Sequence, residues 1–246
     1  MTENNTLTAE SARAAVAEQM PWLQQALTDL VAFRSVHSTP GLEKDNAGAA
    51  QWVTDAFRAE GIPVEPHTTT DGSVSVIGVR DAAEGWPTVL LYSHYDVQPA
   101  SDVDNWTSSP WSLTERNGRW YGRGAADCKG HVVMHLAVLR ALNALIDSGD
   151  LDDETATALS SIGIRVVVEG SEERGGYGLE DRCRPTRSSS PPTPSSSPTP
   201  ATTPWASRPS ARPCAARHRS PSDCGLSSSR CTPGSSAARP RTPCSP

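Results

Sequence analysis

The sequence has 246 residues, a net charge of −6 and 36% hydrophobic residues, which indicates one acidic globular domain or two small ones. No apolar run approaches 18 residues, and the N-terminus lacks a basic segment followed by an apolar one. We therefore expect neither a membrane span nor a signal peptide, and we expect a cytoplasmic location.

The first predicted elements are two helices and three strands. A helix begins at Thr8 and keeps apolar positions as far as Val31, and a second covers residues 46–60 and ends at Gly61. Short β-rich segments at 63–69, 74–79 and 88–94 predict strands. The last is a continuous apolar run, which is typical of a strand covered on both faces.

The next elements alternate in the same way. Residues 98–118 form a Pro/Ser/Trp-rich loop, and a strong amphipathic helix follows over residues 129–146. A polar loop at 148–160 then leads to a buried strand at 162–170. This alternation predicts an α/β domain with a mostly parallel sheet flanked by helices.

The composition changes near residue 182. Residues 182–246 carry a charge of +9, contain 14 of the 21 prolines and 16 serines, and have Leu226 as their single Ile, Leu, Val, Met or Phe residue. Such a segment buries too little apolar surface to offset the entropy lost on ordering it. We predict a folded domain in residues 1–181 and a disordered Pro/Ser/Arg-rich tail in 182–246. Five of the six cysteines lie in this tail without zinc-type spacing, so we expect no disulfide or zinc framework.

Three polar clusters follow predicted strands or precede a helix. His94 and Asp96 follow one strand, Asp127 precedes the long helix, and Glu172 and Glu173 follow the last strand. Open α/β sheets bind ligands at the carboxyl ends of their strands. One imidazole with several carboxylates suits a divalent zinc-type site, in which two ions share a bridging carboxylate and another carboxylate accepts a proton from water.

Each cluster alone has a simpler interpretation. A histidine after a strand is often a hydrogen-bonded loop residue, Asp127 could be a helix N-cap, and paired glutamates are often a solvated charge run. His131 and His135 are one helical turn apart, but the glutamate of the H-E-x-x-H motif is missing between them. We expect this pair to lie along the helix flank rather than to bind metal.

Together, "LLYSHYDVQP", "WSLTERNGRWYGRGAADCKG" and "VVVEGSEERGG" resemble the M20 family of metallopeptidases in order and spacing. The nearest branch is the one that contains carnosinase and cytosolic non-specific dipeptidase, and the resemblance covers residues 20–181. It implies hydrolysis of dipeptides, at a peptide bond next to a free carboxylate, by water activated between two Zn²⁺ ions, with Mn²⁺ or Co²⁺ as alternatives. Other members of the family are acylases, deacylases or carboxypeptidases, and these remain alternatives.

The resemblance also implies a role for each site residue. His94 and Glu173 would bind metal, Asp127 would bridge both ions, Asp96 would orient His94, and Glu172 would be the general base. A cis peptide bond is implied between Asp127 and Cys128. Family members are homodimers through a lid domain that has no counterpart here, so we do not expect a dimer.

The later motifs of the family, Ala-Asp-Thr-Gly and Leu-His-Ser-Gly, are absent. However, the codons for residues 198–201 and 231–234 can encode these two motifs when they are read in a frame shifted by one nucleotide. We therefore interpret the tail as out-of-frame translation after about codon 182. The chain would then be truncated and inactive, with an exposed apolar sheet edge. The rival interpretation is a non-enzymatic protein whose basic tail binds nucleic acid.

Overall fold

The computed structural model describes residues 7–183 of the chain, and of residues 181–183 only the backbone. The predicted tail and its proposed nucleic-acid contacts therefore lie outside the described residues, apart from Arg182 and Cys183. The helices are α1 Ala9–Glu18, α2 Met20–Ala32, α3 Glu43–Ala59, α4 Lys129–Ser148, α5 Asp153–Ser161 and α6 Tyr177–Cys183. The strands are β1 Val64–Thr68, β2 Val74–Arg80, β3 Thr88–His94, β4 Thr114–Arg116, β5 Arg119–Tyr121 and β6 Gly163–Glu169.

The main sheet has the strand order β1-β2-β6-β3. Strands β3 and β6 run parallel, whereas β1 with β2 and β2 with β6 are antiparallel, so the sheet is mixed. Strands β4 and β5 form a separate hairpin. The predicted α/β class, a sheet with helices packed on it, is confirmed.

The core lies between this sheet and helices α2, α3 and α4. Helix residues Leu30, Phe57 and Leu136 are fully buried against the strand residues Val76 and Val166. Burying a side chain of this size contributes roughly 1.5–3 kcal/mol each. This packing fixes the position of the loops that leave the ends of β3 and β6.

The predicted N-terminal helix is two helices. Thr8 caps the first as expected, because its side chain accepts the N–H of Ser11 and the Ser11 hydroxyl accepts the N–H of Thr8. The chain then breaks at Gln19, and α2 begins with Pro21 in its first turn. Proline has no N–H to donate and is favoured at that position, which explains a new start there.

Two regions predicted as loops contain regular structure. The segment 148–160 includes most of α5, whose N-cap Asp152 accepts the N–H of Thr155 at 2.7 Å. The hairpin of β4 and β5 turns at Asn117 and Gly118, which both have positive φ. Asn-Gly is the preferred pair for such a turn, so this part of the prediction missed a signal that the sequence carries.

Strand β3 does not lie covered on both faces within the described part of the chain. It pairs with β6 alone among the described strands, and its apolar side chains Val89, Leu90 and Tyr92 are exposed. Leu90 exposes 60% of its surface. The prediction of a doubly covered strand is therefore wrong for these residues, whereas the expected apolar edge is present.

Candidate metal centre

The candidate site lies where the two parallel strands end. His94 is the last residue of β3 and is directly opposite Glu169, the last residue of β6. Parallel strands bring their carboxyl ends to one edge of a sheet, so the loops after both strands meet there. The predicted clusters around Asp96 and Glu172 are consequently neighbours in space.

His94 is buried, and its two ring nitrogens face different carboxylates. Nδ1 lies 3.1 Å from the Asp96 carbonyl oxygen and 3.4 Å from the Asp96 carboxylate. Nε2 lies 3.1 Å from Asp127 Oδ1 and 3.5 Å from Glu172 Oε2. One nitrogen is therefore occupied by a buried acceptor, and the other points at the group of exposed carboxylates.

Asp96 is fully buried and connects the two strand ends. One oxygen of its carboxylate accepts the backbone N–H of Glu172 at 3.1 Å, and the other accepts that of Glu173 at 3.0 Å. These charge-assisted hydrogen bonds hold the turn that carries both glutamates against His94. Asp96 thus contacts both His94 at the end of β3 and the turn that follows β6.

Asp127 precedes α4 across a cis peptide bond to Cys128, in agreement with the prediction. Its side chain is 79% exposed and faces His94 Nε2. The N-cap of α4 is Cys128, and no side-chain hydrogen bond caps that helix. The simpler interpretation of Asp127 as an N-cap residue is therefore wrong.

The two predicted glutamates have different surroundings. Glu172 is partly exposed, with its carboxylate directed at His94. The carboxylate of Glu173 instead accepts a hydrogen bond from Gln98 Nε2 at 2.9 Å. Within the described residues, the one group able to hold a metal through at least three side chains comprises His94, Asp127 and Cys128, with ligand atoms within 4.8 Å of one another.

Cys128 is the member of this group that the sequence analysis missed. It is buried, and its Sγ lies 2.9 Å from Nδ1 of His131. Its position directly after Asp127 was the available signal. His131 and His135 lie on α4, and neither belongs to the metal-capable group found among the described residues.

The charges of the site favour a protonated His94. Burial lowers the pKa of His94, but hydrogen bonding to Asp96 and Cys128 outweighs it and raises the pKa to about 11. Burial raises the pKa of the Cys128 thiol, but hydrogen bonds with His94 and His131 lower it overall. The carboxylates of Asp96, Asp127 and Glu172 surround the His94 ring, and their negative charge favours binding of a cation at this edge.

A second buried carboxylate lies behind the site. Glu169 accepts a hydrogen bond from the Tyr92 hydroxyl at 2.5 Å, while its Oε2 is buried without a hydrogen-bond partner. Burial raises the pKa of Glu169, and the nearby Asp96 and Glu172 carboxylates add to this shift. This residue lines a pocket with Tyr92, Glu172 and Gly176 next to the candidate metal ligands.

The donor set fits a zinc-type ion. Imidazole nitrogen, carboxylate oxygen and thiolate sulfur are the three donors that Zn²⁺ binds in proteins. His94, Asp127 and Cys128 bring one donor of each kind within 4.8 Å of one another. The Asp96 carboxylate lies beside the other ring nitrogen of His94, where a carboxylate orients the histidine ligand in many metal sites.

Comparison with known proteins matches this part of the chain to a peptidase family. The model of Peptidase family M20/M25/M40 matches residues 90–184. This part of the chain is therefore similar to members of peptidase family M20. The match includes every predicted site residue and ends at the point where the composition changes.

Two curated relatives are dipeptidases by name. The chain is 45% identical over 152 residues to Cysteinylglycine-S-conjugate dipeptidase of Corynebacterium striatum, covering 62% of this chain and 31% of the relative. It is 40% identical over 94 residues to Beta-Ala-His dipeptidase of Homo sapiens, covering 38% of this chain and 16% of the relative. The chain therefore spans less than a third of either relative.

The fold resembles a solved M20 structure. Human carnosine dipeptidase 1 aligns with a TM-score of 0.59 and 26% identity, over 70% of this chain and 37% of that one. An M20 family metallo-carboxypeptidase from Sulfolobus solfataricus aligns with a TM-score of 0.51 and 26% identity, over 65% of this chain and 33% of that one. Within residues 7–183, none of the helices has the length and apolar character needed to cross a bilayer.

Proposed function

We propose that the M20 segment is the catalytic half-site of a zinc-dependent dipeptidase that cleaves a peptide bond next to a free carboxylate. The observation that carries the proposal is the position of His94, with Asp96 on one ring nitrogen and Asp127 and Glu172 near the other. His94, Asp127 and Glu173 would hold the metal ions, with Asp127 between two of them. When bound, such ions polarise the peptide carbonyl and activate water.

Glu172 is the proposed general base. Its carboxylate is partly exposed and 3.5 Å from His94, so it can face both the metal ligands and solvent. A general base must lie within hydrogen-bond reach of the proton that it accepts, and this position satisfies the requirement for a water near His94. Asp96 acts indirectly, because it orients His94 and fixes the backbone of Glu172.

The substrate class follows from the relatives. Two of them are named for Cys-Gly conjugates and β-Ala-His, which are small dipeptides. Another relative, 29% identical over 164 residues, is Succinyl-diaminopimelate desuccinylase of Legionella pneumophila. Dipeptides are our proposed substrates, and an acylated amino acid is the second candidate within the same reaction type.

The test is hydrolysis by the purified frame-corrected chain, which carries the same residues 1–181, with added Zn²⁺, Mn²⁺ or Co²⁺. Cysteinylglycine, β-Ala-His and succinyl-diaminopimelate would be offered separately, and release of free amine would be measured. Glu172→Gln should lower any activity by about 10²–10⁴-fold, as expected for loss of a general base. Glu84→Gln is the matched control and should leave activity unchanged, because Glu84 is exposed in the loop before β3, at the opposite end of that strand from His94.

We further propose that residues after about 181 are translated out of frame, which leaves this chain inactive as written. The family match ends at residue 184, and the composition changes at the same place. Resequencing the gene across the codons for Gly178 to Arg187 tests this proposal. If the resequenced DNA has one base more or fewer than the gene sequence that encodes this chain, the frameshift proposal is supported. Native-frame DNA that cannot encode Asp over Thr199 and His over Thr232 would refute it.

A frame-corrected chain then separates two outcomes. Dipeptide hydrolysis by the corrected chain, and none by the present one, would support both the dipeptidase and the frameshift. If neither chain hydrolyses any substrate, the dipeptidase proposal fails. The rival function of the basic tail is tested by RNA binding to a peptide of residues 182–246 at low and high salt.

A further inference from the structure

We infer that Cys128 is a metal ligand, so that the site combines imidazole, carboxylate and thiolate donors and selects a thiophilic ion. The inference rests on the proposed metal-dependent function and adds a residue to it. Its first support is proximity, because one ligand atom each of His94, Asp127 and Cys128 lies within 4.8 Å of the other two.

The distances are compatible with one ion bound to all three residues. At Zn–N and Zn–O bond lengths of about 2.0–2.2 Å and a Zn–S bond length of about 2.3 Å, ligand atoms on a tetrahedron lie roughly 3.3–3.8 Å apart. His94 Nε2 and Asp127 Oδ1 are already 3.1 Å apart. The sulfur of Cys128 lies within 4.8 Å of both, so the separations exceed those of a bound ion by about 1.5 Å at most.

The surroundings of the thiol provide independent support. Cys128 is buried at the start of α4, and Nδ1 of His131 lies 2.9 Å from its Sγ. A hydrogen bond from an imidazole to a coordinating sulfur is the kind of outer contact that orients metal ligands. His131 would thus support Cys128 as Asp96 supports His94, from outside the metal-capable group.

A thiolate changes which ions bind well. Cysteine favours Zn²⁺ and other thiophilic ions, whereas Mg²⁺ and Mn²⁺ favour sites made of oxygen donors. A site of His94 and carboxylates alone would accept Mn²⁺ readily. With Cys128 included, we expect Zn²⁺ and Co²⁺ to be preferred over Mn²⁺.

The test is a Co²⁺ titration of the whole chain followed by absorption spectroscopy. Co²⁺ bound to a thiolate gives a near-ultraviolet charge-transfer band, and bound Co²⁺ gives visible d–d bands whether or not sulfur is a ligand. The charge-transfer band should appear in the original chain and in the matched control Cys214→Ser, and it should vanish in Cys128→Ser. Cys128→Ser should also weaken Zn²⁺ binding at least about tenfold.

The alternative results have separate meanings. Visible d–d bands with no charge-transfer band, or a band that persists in Cys128→Ser, would overturn the role of Cys128 and leave the metal site standing. No binding of Zn²⁺ or Co²⁺ to the original chain would overturn both.

A second measurement needs no variant, and it decides the question if Cys128→Ser does not fold. Zn²⁺ should slow alkylation of Cys128 by iodoacetamide in the original chain, as mapped by mass spectrometry. Equal labelling of Cys128 with and without Zn²⁺ would contradict the inference.

Discussion

Lys129 is fully buried, and replacing it tests how the start of α4 is held against α2. Its ammonium donates to the carbonyl oxygens of Leu30 at 2.9 Å and Phe33 at 2.6 Å, at the C-terminal end of α2. Lys129→Met keeps most of the apolar stem but removes both donors. An unsatisfied buried carbonyl costs about 1–3 kcal/mol, so two give roughly 2–6 kcal/mol at most.

The pH dependence sharpens this prediction. Burial lowers the pKa of Lys129 to about 7, although the charges of Asp45 and Asp96 oppose the shift. In the unfolded chain the pKa of a lysine is about 10.4. Between pH 7 and about pH 10 the unfolded state therefore binds more protons than the folded state. The free energy of unfolding should therefore rise with pH from about 7 to about 10 in the original chain, and this contribution should be missing from Lys129→Met.

Urea unfolding followed by circular dichroism at pH 6 and pH 9 measures both effects. The loss in free energy of unfolding should be larger at pH 9, where we expect about 2–4 kcal/mol. Lys44→Met is the matched control, because Lys44 is the other lysine of the chain and is exposed. Equal losses at both pH values, or a more stable Lys129→Met, would refute the reasoning.

Three further predictions concern other buried or exposed contacts. Asp96→Asn places an amide NH₂ against a backbone N–H, so Zn²⁺ affinity measured by calorimetry should fall about 10- to 100-fold, and an unchanged affinity would contradict the role of Asp96. Burial raises the pKa of Asp71, but hydrogen bonds from Thr69, Ser73 and Ser171 bring it well below its usual range. The ionised Asp71 therefore stabilises the fold above about pH 4, and this contribution is lost as the pH falls and the carboxylate is protonated. Asp71→Asn should lower the free energy of unfolding at pH 7 by about 1–3 kcal/mol, and in urea unfolding the difference between the two chains should become smaller in acid. A difference that does not change with pH would show that the charge of Asp71 is not its cause. Leu90→Lys places a charge on the exposed β3 edge and should raise the soluble fraction on centrifugation, whereas an unchanged fraction would mean that this edge does not drive aggregation.

The strand ends were predictable because local patterns and chain topology agree there. Apolar runs identified β3 and β6, and their parallel pairing brings His94 opposite Glu169, next to the predicted ligands. The roles of Asp96 and Glu172 came from the family resemblance, and the hydrogen bond from the backbone N–H of Glu172 to Asp96 is consistent with those roles. Their assignment as site residues stays a prediction until metal binding is measured.

The remaining features depend on tertiary context that no short pattern encodes. The sequence shows Cys128 next to Asp127, but only the turn into α4 brings its sulfur near His94. Lys129 is polar, and nothing local indicates that it reaches the end of α2 some 96 to 99 residues earlier. The exposure of β3 likewise depends on which strands pair with it, which its own apolar run cannot reveal.

The two hydrogen bonds accepted by Asp96 have a consequence for how mutations combine. Because one carboxylate touches the imidazole and holds the backbone of both glutamates, a shift of any one partner is passed to the others. Substitutions at His94 and Glu172 should then show coupled rather than additive effects on metal affinity. We therefore expect a shift of the Asp96 carboxylate to displace His94, the proposed ligand, and Glu172, the proposed base, together.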